Sequence, residues 1–231
     1  MSGPAWERSV EVRTAAETHA LAAALGADLE TGDLLILTGE LGAGKTTFTQ
    51  GLGEGLGVRP GIISPTFVLV RIHPNLPEGP RPGGPDLVHV DAYRLESAAE
   101  IDDIDLENTM DSAVTVVEWG RDRVEHLSDS RLEVELHRTR GGAPGAPGAP
   151  APSAPAQGAP AAGVPSEAGA DRTAADPAVE PGVLDFDTDD DDEPRTVVIR
   201  GFGPRWAEPP ALPGFEATPA DPLPQTPERN S

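Results

Sequence analysis

The residues best suited to chemistry lie between Gly39 and Thr46. They read Gly-Glu-Leu-Gly-Ala-Gly-Lys-Thr, which matches the pattern G-x-x-x-x-G-K-[ST] in full. The glycines of this pattern let backbone N–H groups converge on phosphate oxygens, and the helix that follows begins at the phosphates. Lys45 would reach the β- and γ-phosphates, and the Thr46 hydroxyl would hold Mg²⁺. The residues expected to line the nucleotide here are Glu40, Leu41, Gly42, Ala43, Gly44, Lys45, Thr46 and Thr47.

Lys45 is the only lysine in a chain that has 16 arginines. An ammonium is a compact point charge that fits between phosphates, whereas a guanidinium is a planar fork. The single lysine therefore stands where a slim cation is needed. Its uniqueness also disfavours a GTPase, because guanine recognition of the N-K-x-D kind needs a second lysine.

Two carboxylates follow apolar runs that are typical of buried strands. Asp91 comes after Leu-Val-His-Val, and Glu118 comes after Val-Thr-Val-Val. Ligands of open α/β sheets bind beyond the carboxyl ends of the strands, where acids of this kind meet Mg²⁺ or its water shell. An acid is also a common strand end, but the phosphate motif upstream favours a functional role for both. Spacing does not decide which one contacts Mg²⁺ and which one polarises the attacking water.

Further candidates lie near these acids. Thr66, in Ser64-Pro65-Thr66, stands between the phosphate-loop helix and the next strand, where nucleotide switches place a hydroxyl near the γ-phosphate. An ordinary proline turn is the alternative. Trp119 follows Glu118 directly, with core packing as the alternative to a role at the site. The five histidines show no metal-ligand spacing, so we interpret them as structural.

The elements that must position these residues follow from hydrophobic patterns. Helical patterns cover 14–29, 45–57, 98–110 and 121–127, and strand patterns cover 9–13, 33–38, 67–72, 87–90, 114–117, 131–136 and 195–200. A strand, a Gly-rich turn and a helix in succession begin an α/β nucleotide-binding fold. We therefore predict a P-loop NTPase: a mostly parallel sheet flanked by helices, with a late antiparallel pair made by the last two strands.

Composition divides the chain. Alanine, proline and glycine fill 32 of the 56 positions in 139–194, and residues 204–231 hold eight prolines in 28 positions. Such segments bury too little apolar surface to offset their ordering entropy. We predict one ATPase domain in 1–138, a disordered acidic insertion in 139–194, the domain's final strand in 195–203, and a disordered Pro-rich tail in 204–231.

Charge and cysteine content exclude several functions. The net charge is −22, of which −13 falls on residues 1–138, and seven acids without a base lie between Glu96 and Asp111. A chain so acidic repels phosphate backbones, so any role in nucleic-acid chemistry should run through a basic partner. The chain has no cysteine, hence no thiolate chemistry. It shows neither a signal-peptide pattern nor a spanning apolar run, which predicts a cytoplasmic protein without membrane contact.

Four motifs in this order and spacing resemble the bacterial TsaE family: G-E-L-G-A-G-K-T-T-F from Gly39, S-P-T-F from Ser64, H-V-D-A-Y-R-L from His89 and V-E-W from Val117. The resemblance covers roughly residues 8–138 and 195–203. It implies a Mg²⁺-dependent ATPase that works with TsaD-like and TsaB-like partners. These partners transfer a threonylcarbamoyl group to a tRNA adenosine beside the anticodon, and the ATPase meets tRNA only through the complex.

The resemblance also implies roles for individual residues. Lys45 and Thr46 would hold phosphates and Mg²⁺, Glu118 would be the second metal-side acid, and Asp91 would be the catalytic or water-positioning acid. Thr66 would belong to the switch loop, and Trp119 would lie beside the nucleotide. Ala92 and Gly120 depart from the family pattern.

Two other functions remain open at this point. A small-molecule P-loop kinase would need an arginine-bearing lid, for which Arg121 and Arg123 are the clustered candidates. An interaction module would use nucleotide only to stabilise the fold, while its acidic surface docks on a basic partner.

Overall fold

The computed structural model describes residues 3–95, 100, 104, 106–138, 193–215 and 218–219. The predicted insertion lies outside the described residues except for positions 193 and 194, and the predicted helix 98–110 is described only in part. The α-helices among these residues are α1 (Ala15–Asp28), α2 (Lys45–Leu56) and α3 (Glu107–Met110), and short 3-10 helices cover Glu125–Leu127 and Pro204–Trp206. The strands are β1 (Trp6–Val12), β2 (Leu34–Gly39), β3 (Val70–His73), β4 (Asp86–Asp91), β5 (Ala113–Glu118), β6 (Arg131–Arg138), β7 (Arg195–Phe202) and β8 (Thr218–Pro219).

The strands form one mixed sheet in the order β3-β4-β5-β2-β6-β7-β1-β8. Its centre, β4-β5-β2-β6, is parallel, and β6 and β7 pair antiparallel as the sequence predicts. The predicted α/β P-loop fold is therefore confirmed. The antiparallel part is larger than one late pair, since β1 and β8 extend it beyond β7 and β3 adds an antiparallel edge. Antiparallel strands tolerate one solvated face, and β1 accordingly alternates polar with apolar residues.

Helices α1 and α2 pack closely on one face of the sheet. A Cβ at Gly51 would lie 2.2 Å from the His19 carbonyl oxygen, and one at Gly55 would lie 2.2 Å from that of Ala23. Only glycine permits this approach of the two backbones. Because α2 carries the phosphate motif at its N-terminus, this contact fixes the direction in which the motif points.

The prediction that 204–231 is disordered is wrong for residues 204–215. Trp206 is 2% exposed and belongs to the same core cluster as Leu212, and its segment packs against β6 and β7. The indole Nε1 of Trp6 donates to the Trp206 carbonyl oxygen at 2.8 Å, and Arg205 donates to Asp33 Oδ2 at 3.2 Å. A high proline content does not exclude this order, because the buried apolar surface of Trp206 and Leu212 holds the segment against the domain.

A charged cluster on the antiparallel half of the sheet makes stability depend on pH. Burial alone would raise the pKa of Glu135, but hydrogen bonds from Arg121 and Arg200, together with the charges of Arg121 and His137, hold it at about 2, below the ordinary 4.5. The ionised carboxylate accepts from Arg121 at 3.0 Å and from Arg200 at 2.8 Å. Its contribution is complete above pH 4.5 and is lost as pH falls towards 2.

Glu135→Gln should accordingly lower the free energy of unfolding by about 2 kcal/mol at pH 7. The difference from the wild type should shrink as pH falls from about 5 to 2. Urea denaturation across that pH range measures it. Glu11→Gln, at an exposed position of β1, is the control and should change stability by less than ~0.5 kcal/mol. A difference that stays constant with pH would contradict the assignment.

Candidate active site

The phosphate motif forms the turn between β2 and α2. Gly42 and Gly44 have φ of 75° and 95°, in the left-handed region that favours glycine, and Gly44 is the N-cap of α2. No side chain caps this helix. Its first N–H groups and the positive end of its dipole are therefore available to an anion.

Lys45 is 6% exposed and folds back over the turn. Its Nζ donates to the carbonyl oxygens of Gly39 and Glu40, each at 3.0 Å, and lies 4.1 Å from the ring centroid of Trp119. Burial lowers the pKa of Lys45, while the charges of Glu118 and Asp91 act in the opposite direction. The ammonium is thus held beside the turn by neutral groups and faces two carboxylates.

The two predicted acids meet at one edge of the sheet. Asp91 and Glu118 are register partners at the ends of the parallel strands β4 and β5, and both are 3% exposed. Glu118 is also opposite Leu37 of β2, the strand that leads into the phosphate motif. Parallel pairing therefore places both acids beside the glycine turn, at the carboxyl edge where α/β sheets bind ligands.

Thr66, the candidate switch-loop hydroxyl, is hydrogen-bonded to Asp91. Its hydroxyl donates to Asp91 Oδ2 at 2.5 Å, Ser64 Oγ lies 3.3 Å from the same oxygen, and the Tyr93 N–H donates to Oδ1 at 2.9 Å. The predicted strand 67–72 begins only at Val70, because Leu69 adopts φ of 67° and turns the chain. That turn brings the Thr66 loop over the end of β4.

The remaining predicted residues differ in how far their side chains are exposed to solvent. Glu40 and Leu41 are exposed, with Leu41 at 88%, so a nucleotide in the turn would meet their backbone rather than their side chains. Ala43 is buried, while Thr46 and Thr47 are half-buried in the first turn of α2. Trp119 has φ of 62°, and its ring lies 5.4 Å from that of Tyr93. The structure thus brings Lys45, Thr66, Asp91, Glu118 and Trp119 together around the turn.

Sequence reasoning missed three residues at this site. His89, interpreted as structural, has Nε2 2.9 Å from Glu118 Oε1. Arg138 and Arg195 lie close to the turn: a Cβ at Gly42 would be 3.3 Å from Arg138 Nη1, and one at Gly44 would be 3.5 Å from Arg195 Nε. Of the three, only His89 could have been found from the sequence. It stands two residues before Asp91, and a strand places such residues on one face.

Comparison with known proteins decides the family. The family model for "Threonylcarbamoyl adenosine biosynthesis protein TsaE" matches residues 12–143, more than half of the chain. The chain belongs to the TsaE family. Relatives named tRNA threonylcarbamoyladenosine biosynthesis protein TsaE include one from Streptomyces coelicolor, 54% identical over 114 residues, which span 49% of this chain and 74% of that protein. Another, from Bacillus subtilis, is 39% identical over 123 residues, spanning 53% and 72%.

A solved structure supports the same fold. The crystal structure of Bacillus subtilis YdiB superposes with a TM-score of 0.50 and 24% identity, over 87% of this chain and 88% of that one. Within the described residues, no helix has the length and apolarity that crossing a membrane requires.

The arginines that a kinase lid would need are engaged elsewhere in this TsaE-family chain. Arg121 pairs with Glu135 at 3.0 Å, and Arg123 Nη1 donates to the Ala92 carbonyl oxygen at 2.5 Å. Both side chains therefore brace the fold, Arg123 by holding the loop that follows Asp91.

The polar groups around the glycine turn are of the kinds that bind a nucleotide together with Mg²⁺. Backbone N–H groups at the start of α2 and the Lys45 ammonium suit phosphate oxygens. The Thr46 hydroxyl and the Glu118 carboxylate are oxygen ligands of the kind that Mg²⁺ prefers. Glycines with positive φ keep the turn free of side chains where the phosphates would lie.

Proposed function

We propose that this chain is a Mg²⁺-dependent ATPase subunit that supports threonylcarbamoyl transfer to a tRNA adenosine beside the anticodon, acting in the cytoplasm with TsaD-like and TsaB-like partners. One observation carries the ATPase part: Lys45, Asp91 and Glu118 converge on the glycine turn at the carboxyl edge of the sheet. Membership of the TsaE family supports the part of the proposal that concerns tRNA threonylcarbamoylation.

Catalysis would consist of positioning and electrostatics. Thr46 and Glu118 would hold Mg²⁺, which neutralises phosphate charge when it is bound. Lys45 and the backbone donors of the turn would bind the β- and γ-phosphates. Asp91 would orient the attacking water and accept its proton, while the Thr66 hydroxyl, which donates to Oδ2, would hold the carboxylate in place.

Exposed apolar residues support the partner part of the proposal. Six large apolar side chains among the described residues are more than half exposed, and we name them together the apolar rim: Leu41, Ile63, Phe67, Val68, Ile72 and Tyr93. All belong to the glycine turn, the Thr66 loop, the edge strand β3 or the loop after Asp91. Exposed apolar clusters mark protein interaction surfaces. A partner on the rim would contact the segments that hold the candidate catalytic residues.

ATP hydrolysis tests this function. Phosphate release should be measured for the purified chain alone and with the TsaD-like and TsaB-like proteins of the same organism. We expect partners to stimulate release, and Lys45→Ala to lower the stimulated rate about 100-fold or more by removing the phosphate-binding charge.

Phe67→Ser separates docking from chemistry in the same assay. Phe67 is 85% exposed, so its replacement should reduce partner stimulation and leave nucleotide affinity unchanged. Phosphate transfer to an added small acceptor, with no partner effect, would instead favour the kinase. Stimulation that survives in Lys45→Ala would contradict the assigned site.

A further inference from the structure

A buried histidine fixes the Glu118 carboxylate. His89 Nε2 and Glu118 Oε1 are 2.9 Å apart, and the two side chains are 0% and 4% exposed. A carboxylate oxygen only accepts, so the imidazole Nε2 carries the proton and donates it. In the described part of the chain this is the one hydrogen bond to the Glu118 carboxylate. Oε1 is therefore occupied by the histidine, and Oε2 is left for another partner.

Strand geometry explains how the histidine reaches this carboxylate. His89 and Asp91 are two residues apart on β4 and so share one face of the strand. Glu118 is the register partner of Asp91, and Val116 is that of His89. The imidazole thus lies one step deeper in the sheet than the two acids. It supports Glu118 from the core side, while the edge of the sheet stays open to a ligand.

The other imidazole nitrogen shows that packing alone does not account for the histidine. His89 Nδ1 is buried and has no hydrogen-bond partner among the residues described. Its ring neighbour is His73, with the centroids 6.3 Å apart. Burying an unpaired polar nitrogen costs free energy, which an apolar side chain at this position would avoid. The bond to Glu118 is the contact that an apolar residue could not make.

We propose that His89 is a positioning residue: it holds the Glu118 carboxylate in the orientation in which Oε2 faces Mg²⁺ or its water shell. This inference rests on the function proposed above. Hydrogen-bonded supports of this kind orient metal ligands, and their loss typically weakens metal binding by about 10- to 100-fold. His89 would act on the metal through Glu118 and would not touch the nucleotide.

The test is the gain in nucleotide affinity that Mg²⁺ provides. Calorimetric titration with a non-hydrolysable ATP analogue, in EDTA and in Mg²⁺, gives this gain for the wild type, His89→Leu, His89→Gln and the control His73→Leu. Binding in EDTA depends on the glycine turn and Lys45, so it should be unchanged in all four. The gain from Mg²⁺ should fall about 10-fold or more in His89→Leu. Glutamine keeps a donor near the Nε2 position and should restore most of the gain, and His73→Leu should keep it in full.

Each contrary outcome has a distinct meaning. A full gain in His89→Leu, an equal loss of affinity in EDTA and in Mg²⁺, or no rescue by glutamine would overturn the positioning role. If the wild type itself gains nothing from Mg²⁺, the proposed function fails as well. Should His89→Leu not fold, the ¹⁵N spectrum of the wild-type imidazoles decides. His89 must then be protonated at Nε2, with that signal moving on addition of the analogue in Mg²⁺ and not in EDTA; the opposite tautomer would refute the inference.

Discussion

Asp91→Asn should lower the rate of ATP hydrolysis at least 100-fold and leave nucleotide affinity within about threefold of the wild type. An amide fills the space of the carboxylate but cannot take a proton from the attacking water. Asp91 is buried at the end of β4, and Thr66 is hydrogen-bonded to it. Phosphate release and calorimetric titration of the same preparation measure the two quantities.

The same variant separates an ATPase from an interaction module. If hydrolysis resets the partner assembly, Asp91→Asn should dock on the TsaD-like and TsaB-like proteins but support only a limited number of tRNA modifications. Repeated modification at the wild-type rate would show that hydrolysis is dispensable and would favour the module. Lys45→Ala is the companion variant: it should lose nucleotide binding itself, because it removes the ammonium that lies on the glycine turn.

Trp206→Ala should destabilise the protein by about 3–5 kcal/mol, the usual cost of deleting a fully buried aromatic side chain. Trp206 is 2% exposed, lies in the same core cluster as Leu21 and Val10, and its carbonyl oxygen accepts from Trp6. For a chain of this size the loss corresponds to a fall in melting temperature of roughly 10 °C. Urea denaturation and a thermal scan measure it.

Two controls make that result specific. Trp206→Phe retains part of the buried area and should cost clearly less than alanine. Phe67→Ala removes an aromatic ring that is 85% exposed and should change stability by less than ~0.5 kcal/mol. A Trp206→Ala protein as stable as the wild type would mean that residues 204–215 do not contribute to the core.

Local sequence patterns were enough to predict the parallel centre of the sheet and the convergence of the candidate site residues at one edge of it. The glycines of the phosphate turn require positive φ, and the apolar runs before Asp91 and Glu118 end at those acids because buried strands end where polar residues begin. Parallel strands of one sheet present their carboxyl ends at one edge, so strand order along the chain already implies that these acids meet near Lys45. The alternating pattern of 131–136 and 195–200 likewise predicts their antiparallel pairing.

Contacts between residues distant in the chain were decided only by the tertiary structure. The bond from His89 to Glu118 joins residues 29 positions apart, and it depends on the register of β4 against β5. The burial of Trp206 depends on its packing against β6 and β7, which no local pattern near residue 206 reveals. Backbone conformation is set by a residue and its near neighbours, so periodicity and glycine positions report it. Register and packing are set by the summed energies of contacts that exist only once the whole sheet has formed.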